Sequence, residues 1–436
     1  MAGKGGKSGE GMYYGWAIVW AATALTLLTV GLRLGAGPFF LPMTQDLGMS
    51  RSELSSIIAA GMLTYGLTMP LAGQLVTSWG TRRVLLVGML FVAGSIAGTI
   101  YAQGPISLAL SYGVGLSIGL ALASPVSLTP VISRWFVRQR GMALFVLSAG
   151  SMAGIAILTP LFTSSISAFG WQATLAGFAV VFSLITFPSA LFVIRDQAPE
   201  HADTLSARNA SGTPALAQAS CAVPPPAAAA QARPLRAAAA VRTLPFWQLT
   251  LGLFACGFSM NLLGTHGVPM LMDHGFDSQT SAFGIALIGL VAIFSSFALG
   301  KLSDMVERRY ILAVIYTVRG LGFFGLVEAL APWQLYGVAS VGGIVWAGSV
   351  ALSSAIMADV YGTRLVGVLC GWAYVGHQVG GMISSWLGGW AYEAFGTHLI
   401  AFGAAGLLLF GAAAISLGLP SRGVTVRARP VATAAE

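Results

Sequence analysis

Along this chain, polar and charged residues fall between apolar runs of about 20 residues, the length a helix rising 1.5 Å per residue needs to cross roughly 30 Å of hydrocarbon. Twelve such runs recur. The pattern predicts helical spans over 14–41, 54–77, 84–101, 106–133, 142–167 and 173–194, and again over 246–270, 281–300, 310–330, 334–357, 367–393 and 398–419. The fold class expected is an all-α membrane protein whose twelve transmembrane helices form two six-helix bundles.

Internal repetition divides the chain. "LPMTQDLG" at 41–48 matches "VPMLMDHG" at 268–275 in Pro, Met, Asp and Gly at an offset of 227, and the same offset sets Gly73 on Gly300. Gly141, Gly150, Gly154 and the Phe169-Gly170 pair correspond to Gly367, Gly376, Gly380 and Phe395-Gly396 at an offset of 226. Between the halves, 195–245 is rich in Ala and Pro and lacks hydrophobic periodicity, as a flexible linker does. The expected organisation is an N-terminal tail over 1–13, a first bundle over 14–194, the linker over 195–245, a second bundle over 246–419 and a C-terminal tail over 420–436. Both halves enter the membrane from one side, so they are parallel repeats, the plan of a two-bundle secondary transporter.

Composition and charge sharpen this. Of the 436 residues 56% are hydrophobic and 8% charged, which excludes an ordinary soluble domain. With both termini cytoplasmic, 19 of the 22 Lys and Arg fall in tails and cytoplasmic loops, leaving Arg51 outside and Arg33 and Arg319 within the membrane. Retention of basic loops in the cytoplasm accounts for the +8 net charge, so no nucleic-acid partner is inferred. "MAGKGGKSGEGM" leads into a span with no small-residue cleavage pattern and is not a removable signal peptide. Three cysteines, Cys221, Cys256 and Cys370, form neither a disulfide framework nor a metal site. The chain shows no nucleophile elbow, zinc spacing or phosphate-binding loop. No enzymatic activity, cofactor or metal is expected.

Two stretches carry a family resemblance. "GQLVTSWGTRR" after the second span resembles the loop signature of the major facilitator superfamily, G-x-L-x-D-x-x-G-x-R-R, with a degenerate copy, "GKLSDMVERR", after the eighth. The resemblance implies a gating role for Gly73, Gly80, Arg82 and Arg83 in the first copy and for Asp304, Arg308 and Arg309 in the second. Thr77 stands where the signature has Asp, which implies a weaker latch in the first half. "SRWFVRQRGMALFVLSAGSMAG" is similar to the junction of the fourth and fifth spans in monocarboxylate porters and oxalate:formate antiporters. "YYGWAIVWAA" and "THGVPMLMDHG" resemble the same group. Those porters carry Asp and Arg in the eighth span, where this chain has Ser296 and Ala292, so lactate specificity is not carried over.

The buried charges supply the candidate site. None of the fourteen acidic residues lies deep in a span, so Arg33, about 25 Å along its helix from Trp16, has no carboxylate in its own half to offset its burial. By the resemblance, the first, fourth, seventh and tenth spans line a central cavity. Arg33 there favours an anion that its planar fork can grip. Other candidate substrate-binding residues are His266, Asn261, Tyr65, His377, Gln378 and Tyr374, with His266 and His377 also able to couple a proton. Arg319, on the peripheral ninth span, is expected to bond to backbone or water. The sequence reading is a monomeric carrier of a small organic anion, with a proton as candidate co-substrate, embedded in the lipid bilayer of a bacterial inner membrane. A proton-driven efflux pump and a non-transporting sensor with the same fold are the alternatives.

Overall fold

A computed structural model describes residues 13–136, 139–197 and 237–421. The expectations for the tails and for most of the linker, 198–236, lie outside the described residues, as do the side chains of Arg140, Asp304 and Arg364. Among the described residues all regular structure is helical. In the first half the helices are α1 (Tyr14–Leu34), α2 (Gly37–Asp46), α3 (Arg51–Trp79), α4 (Thr81–Ile100), α5 (Pro105–Leu108), α6 (Leu116–Leu122), α7 (Pro125–Trp135) and α8 (Arg140–Pro188). After the short α9 (Ala237–Ala240) come α10 (Leu244–Asp273), α11 (Ser278–Met305), α12 (Arg308–Val327), α13 (Pro332–Ile344), α14 (Gly348–Tyr361), α15 (Thr363–Phe395) and α16 (Leu399–Leu417).

Among the described residues ten segments are long and apolar enough to cross a membrane, and one of them, Gly141–Val193, has 53 residues. As one straight helix it would run about 80 Å, but the chain turns at Gly170, where φ is 80° and ψ 166°. Trp171 Nε1 and Gln172 Nε2 donate to Asp46 at 3.0 and 2.5 Å, while the Tyr14 hydroxyl donates to Val193 O at 2.9 Å. Gly170 therefore lies on the face opposite the two ends of this hairpin, which supplies two crossings. With α15, 33 residues long, the expected twelve are complete. Three of the crossings are broken: the first at Gly35–Ala36, the fourth at Ala123–Ser124 and the tenth at 345–347.

Each half has its own apolar core, and the second also takes in Leu34, Met152 and Ile155 of the first. The duplication is visible atom by atom. Matched glycines Gly48 and Gly275 have φ of 61° and 91°, and Gly170 and Gly396 have 80° and 66°. A Cβ on Gly154 would stand 2.4 Å from Leu27 O, and one on its counterpart Gly380 would stand 2.2 Å from Phe254 O. Leu27 and Phe254 are themselves repeat mates, 227 residues apart. The same contact thus presses α8 onto α1 in one half and α15 onto α10 in the other. Small residues allow this backbone approach, which drives helix association where lipid is as apolar as the side chains.

The halves meet tightly on the face away from the termini. Arg51 donates from both Nη atoms to Asp273, at 2.5 and 3.0 Å, and its guanidinium lies 4.0 Å from the Tyr392 ring centroid. His398 Nε2 stands 2.8 Å from Asp273 Oδ2, and Ser52 N donates to Glu393 at 3.1 Å. Beside this cluster, burial and the neighbouring His398 hold His274 below its ordinary pKa. Asp277 is held below the usual carboxylate range by its bonds to Thr280 and Gln279 at the start of α11. The other face is open.

These contacts make the repeat glycines unequal to others. Gly154→Ala and Gly380→Ala should each destabilise the purified protein by about 1–3 kcal/mol through overpacking, lowering its melting temperature. Gly371→Ala on the same α15, whose Cβ would meet nothing within 4 Å, should leave it unchanged or slightly raised.

Candidate functional site

A cavity of about 830 Å³ runs inward from the open face between the two halves. Its mouth is bounded by Gly73 and Gln74 near the end of α3 and by Gly300 and Ser303 near the end of α11, and Arg33, Tyr65 and His377 lie at its deep end. The first, fourth, seventh and tenth spans line it as expected. The second, fifth, eighth and eleventh do so too, through residues such as Met69, Phe145, Ser296 and Trp372. Ser296 faces this cavity, and Ala292, one turn earlier on the same helix, is buried.

Arg33 is placed by the break in the first span. α1 ends inside the membrane at Gly35, so Arg33 sits in its last turn, where the helix dipole favours a cation. Its Nη2 donates to Asn261 Oδ1 at 2.9 Å and to Gln378 Oε1 at 2.6 Å, with Met62 Sδ at 3.4 Å, and the guanidinium carbon lies 4.2 Å from the Tyr65 ring centroid. Nε has no hydrogen-bond partner. Among the described residues no carboxylate pairs with this guanidinium. The structure therefore brings Arg33 and Tyr65 of the first half together with Asn261 and Gln378 of the second.

His377 borders the same cavity. It is 3% exposed, its ring stacks on Tyr374 at 4.8 Å and 5°, and neither ring nitrogen has a partner. His266 is elsewhere. Its Nε2 is 2.8 Å from Ser385 O and its ring packs edge-on to Phe40, on the closed side of the molecule. His266 is not among the residues that line the cavity with Arg33, and its ring is packed between helices under Gly388, where a Cβ would stand 2.3 Å from it.

Arg319 is 1% exposed and bonds to backbone, as its place on the ninth span led us to expect. It donates to Val345 O at 3.1 Å, to Trp346 O, to Ser349 Oγ at 3.4 Å and to Cys256 Sγ at 3.2 Å. The two carbonyls are those freed by the break between α13 and α14. In lipid such groups must be satisfied from within the protein, and Arg319 does this beside the cavity wall formed by Trp346 and Gly348.

The signature residues lie at the open face. Gly80 separates α3 from α4, and Asp196 accepts from Thr81 N at 3.1 Å, capping α4. Arg82 donates to Ile194 O at 2.8 Å and Leu191 O at 2.6 Å. Arg83 belongs to the first turn of α4. Thr77 bonds to Gln74 O of its own helix at 2.7 Å. In the second copy Arg308 pairs with Asp359, and Arg309 Nε lies 2.7 Å from Glu307. Arg195 and Asp196, expected in the linker, contact the first half: Trp135 Nε1 donates to Arg195 O at 2.7 Å, Arg195 lies over Tyr14, and Asp196 caps α4. Sequence reasoning missed the Arg51–Asp273 pair, which joins residues 222 positions apart, and had only their loop positions to signal it.

The family profile of the Major Facilitator Superfamily matches residues 19–369. An uncharacterised MFS-type transporter, YcxA of Bacillus subtilis (strain 168), is 25% identical over 81% of this chain and 83% of its own length. Monocarboxylate transporter 11 of Homo sapiens is 26% identical over 93% of this chain and 83% of its own. Among solved structures, a bacterial homologue of the human lysosomal transporter Spinster, in an inward-facing and occupied conformation, superposes with a TM-score of 0.67. That match covers 93% of this chain and 96% of the other at 14% identity, so the likeness is one of fold. With twelve crossings in two repeated bundles around a shared cavity, and with the profile spanning most of its length, the chain belongs to the Major Facilitator Superfamily.

Proposed function

We propose that this transporter carries a small organic anion, a carboxylate, across the membrane by alternating access. Arg33 is the observation that carries the reading. A guanidinium at the deep end of a cavity shared by both halves, bonded among the described residues only to neutral groups, is a standing site for a charge of opposite sign. Relatives named as monocarboxylate transporters, aligned over nearly the whole chain, support the same class. The orientation follows from the basic loops: the termini face the cytoplasm, so the cavity opens inward and the Arg51–Asp273 cluster closes the outside. A monomer in a bacterial inner membrane, needing no cofactor, suffices for this mechanism. A co-transported proton would travel on the substrate carboxyl or on His377, the histidine that borders the cavity.

Uptake of labelled carboxylates into proteoliposomes tests the reading. Arg33→Ala should weaken substrate binding by about 30-fold or more, the equivalent of roughly 2 kcal/mol for truncating a charge-assisted hydrogen bond. Arg33→Lys should retain part of the transport because the cation survives. Unaltered affinity in the Ala variant sinks the proposal.

A second prediction concerns the halves, which we propose are independent bodies joined by the linker. Fragments 1–210 and 235–436, co-expressed and both detected in the membrane, should co-purify and restore transport, while either alone should show none. Co-purification without flux would assign the linker a mechanical role.

A further inference from the structure

Among the described residues every hydrogen bond that Arg33 makes leaves from Nη2, which has two hydrogens and two oxygen acceptors, Asn261 Oδ1 at 2.9 Å and Gln378 Oε1 at 2.6 Å. Arg donates only, so both amides present their oxygens to it. A guanidinium receives a two-oxygen anion on one of two edges, Nε with Nη2 or Nη1 with Nη2. Both edges include Nη2. In the empty cavity the fork is therefore already filled, and a carboxylate gripping it with both oxygens must first remove one amide.

The two amides are not equally removable. Asn261 is fixed at its other end: its Nδ2 donates to Gly257 O at 2.7 Å, and it is crowded by Gly381, where a Cβ would stand 2.4 Å from that nitrogen. Gln378 is held only by its stem, packed over Gly66, and its Nε2 is buried with no partner. Arg33 Nε and both ring nitrogens of His377 are also buried without partners. Arg33 and His377 at the cavity's end, and Gln378 buried behind them against Arg33, thus hold polar hydrogens unmet, and a carboxylate brings about four acceptor positions.

We propose that Gln378 is a placeholder for the substrate: its Oε1 holds Arg33 while the cavity is empty, and an incoming carboxylate displaces it. The inference rests on the carboxylate reading above. Because Arg33 belongs to the first half and Gln378 to the second, the exchange also breaks a bond between the bundles. Binding thereby changes how firmly α15 is tied to α1, and Gln378 acts as a positioning residue on the coupling between occupancy and movement.

The test is equilibrium binding of radiolabelled benzoate and of pyruvate to the purified full-length protein, with melting temperatures of the empty protein alongside. Gln378→Met keeps the stem over Gly66 and removes the competing oxygen, so it should tighten binding by about tenfold, the worth of one hydrogen bond to a charged group. Gln378→Glu sets a permanent carboxylate on Arg33, so it should weaken binding by at least about tenfold and raise the melting temperature of the empty protein. Opposite signs in the two variants support the placeholder. If Gln378 were a direct ligand both variants would bind more weakly, and if it were a packing residue Gln378→Met would change only the melting temperature; either result overturns the inference. Should neither probe bind the unsubstituted protein, the carboxylate reading fails, and the placeholder fails with it unless Gln378→Met creates binding.

Discussion

A guanidinium inside a bilayer has to be hydrogen-bonded by the protein itself, and this chain offers it no carboxylate at that depth. The cost of an unsatisfied one ranges from about 3 to above 10 kcal/mol, more than most single contacts return. Arg319 and Arg33 meet the constraint differently. Arg319 is surrounded by carbonyls of the broken tenth span and is 1% exposed, with every contact inside its own half. It is a fixed strut behind the cavity wall formed by Trp346 and Gly348. Arg33 is only partly buried, its acceptors are side-chain amides, and both belong to the opposite half. The same chemistry makes a structural member in one place and an exchangeable contact in the other.

The duplicated architecture packs the two halves by the same contacts. In each half a glycine on the fifth helix of the repeat lets backbone meet backbone on the first, at Gly154 with Leu27 and at Gly380 with Phe254. Contacts that close leave little slack, since packed interiors respond to a single added carbon. Each half is therefore tightly packed within itself, while the hydrogen bonds that join the halves at Arg33 and Arg51 are made by side chains.

Much of this was legible in the sequence because it rests on periodicity and spacing. Apolar run length located the twelve crossings, and the offsets of 226 and 227 located the matched glycines whose φ and packing then agreed in pairs. Arg33, Asn261, Tyr65 and Gln378 were legible singly, as polar residues in apolar runs. Their meeting was not, because Asn261 and Gln378 approach Arg33 from positions 228 and 345 residues away, and no local pattern encodes that. The packing of His266 was not legible for the same reason: depth along a helix can be counted, but the face it turns to depends on neighbours. Arg195 and Asp196 looked like linker by composition, yet the Trp135 indole and the α4 N-terminus need the acceptors they supply.

Under the alternating access proposed above, the Arg51–Asp273 closure is one that costs little to open. Arg51 and Asp273 make a two-toothed ion pair, but their side chains are 23% and 18% exposed, so water already reaches both. An ion pair so placed is worth much less than a buried one, because solvent screens the attraction and rehydrates the charges when they part. Moving the same pair to the depth of Arg33 would make opening prohibitively costly, since neither charge would find a partner. For the alternating access proposed above, a closure of hydratable charges and a buried cation held on neutral partners are the arrangement to expect, and the Arg51–Asp273 pair and Arg33 have those characters.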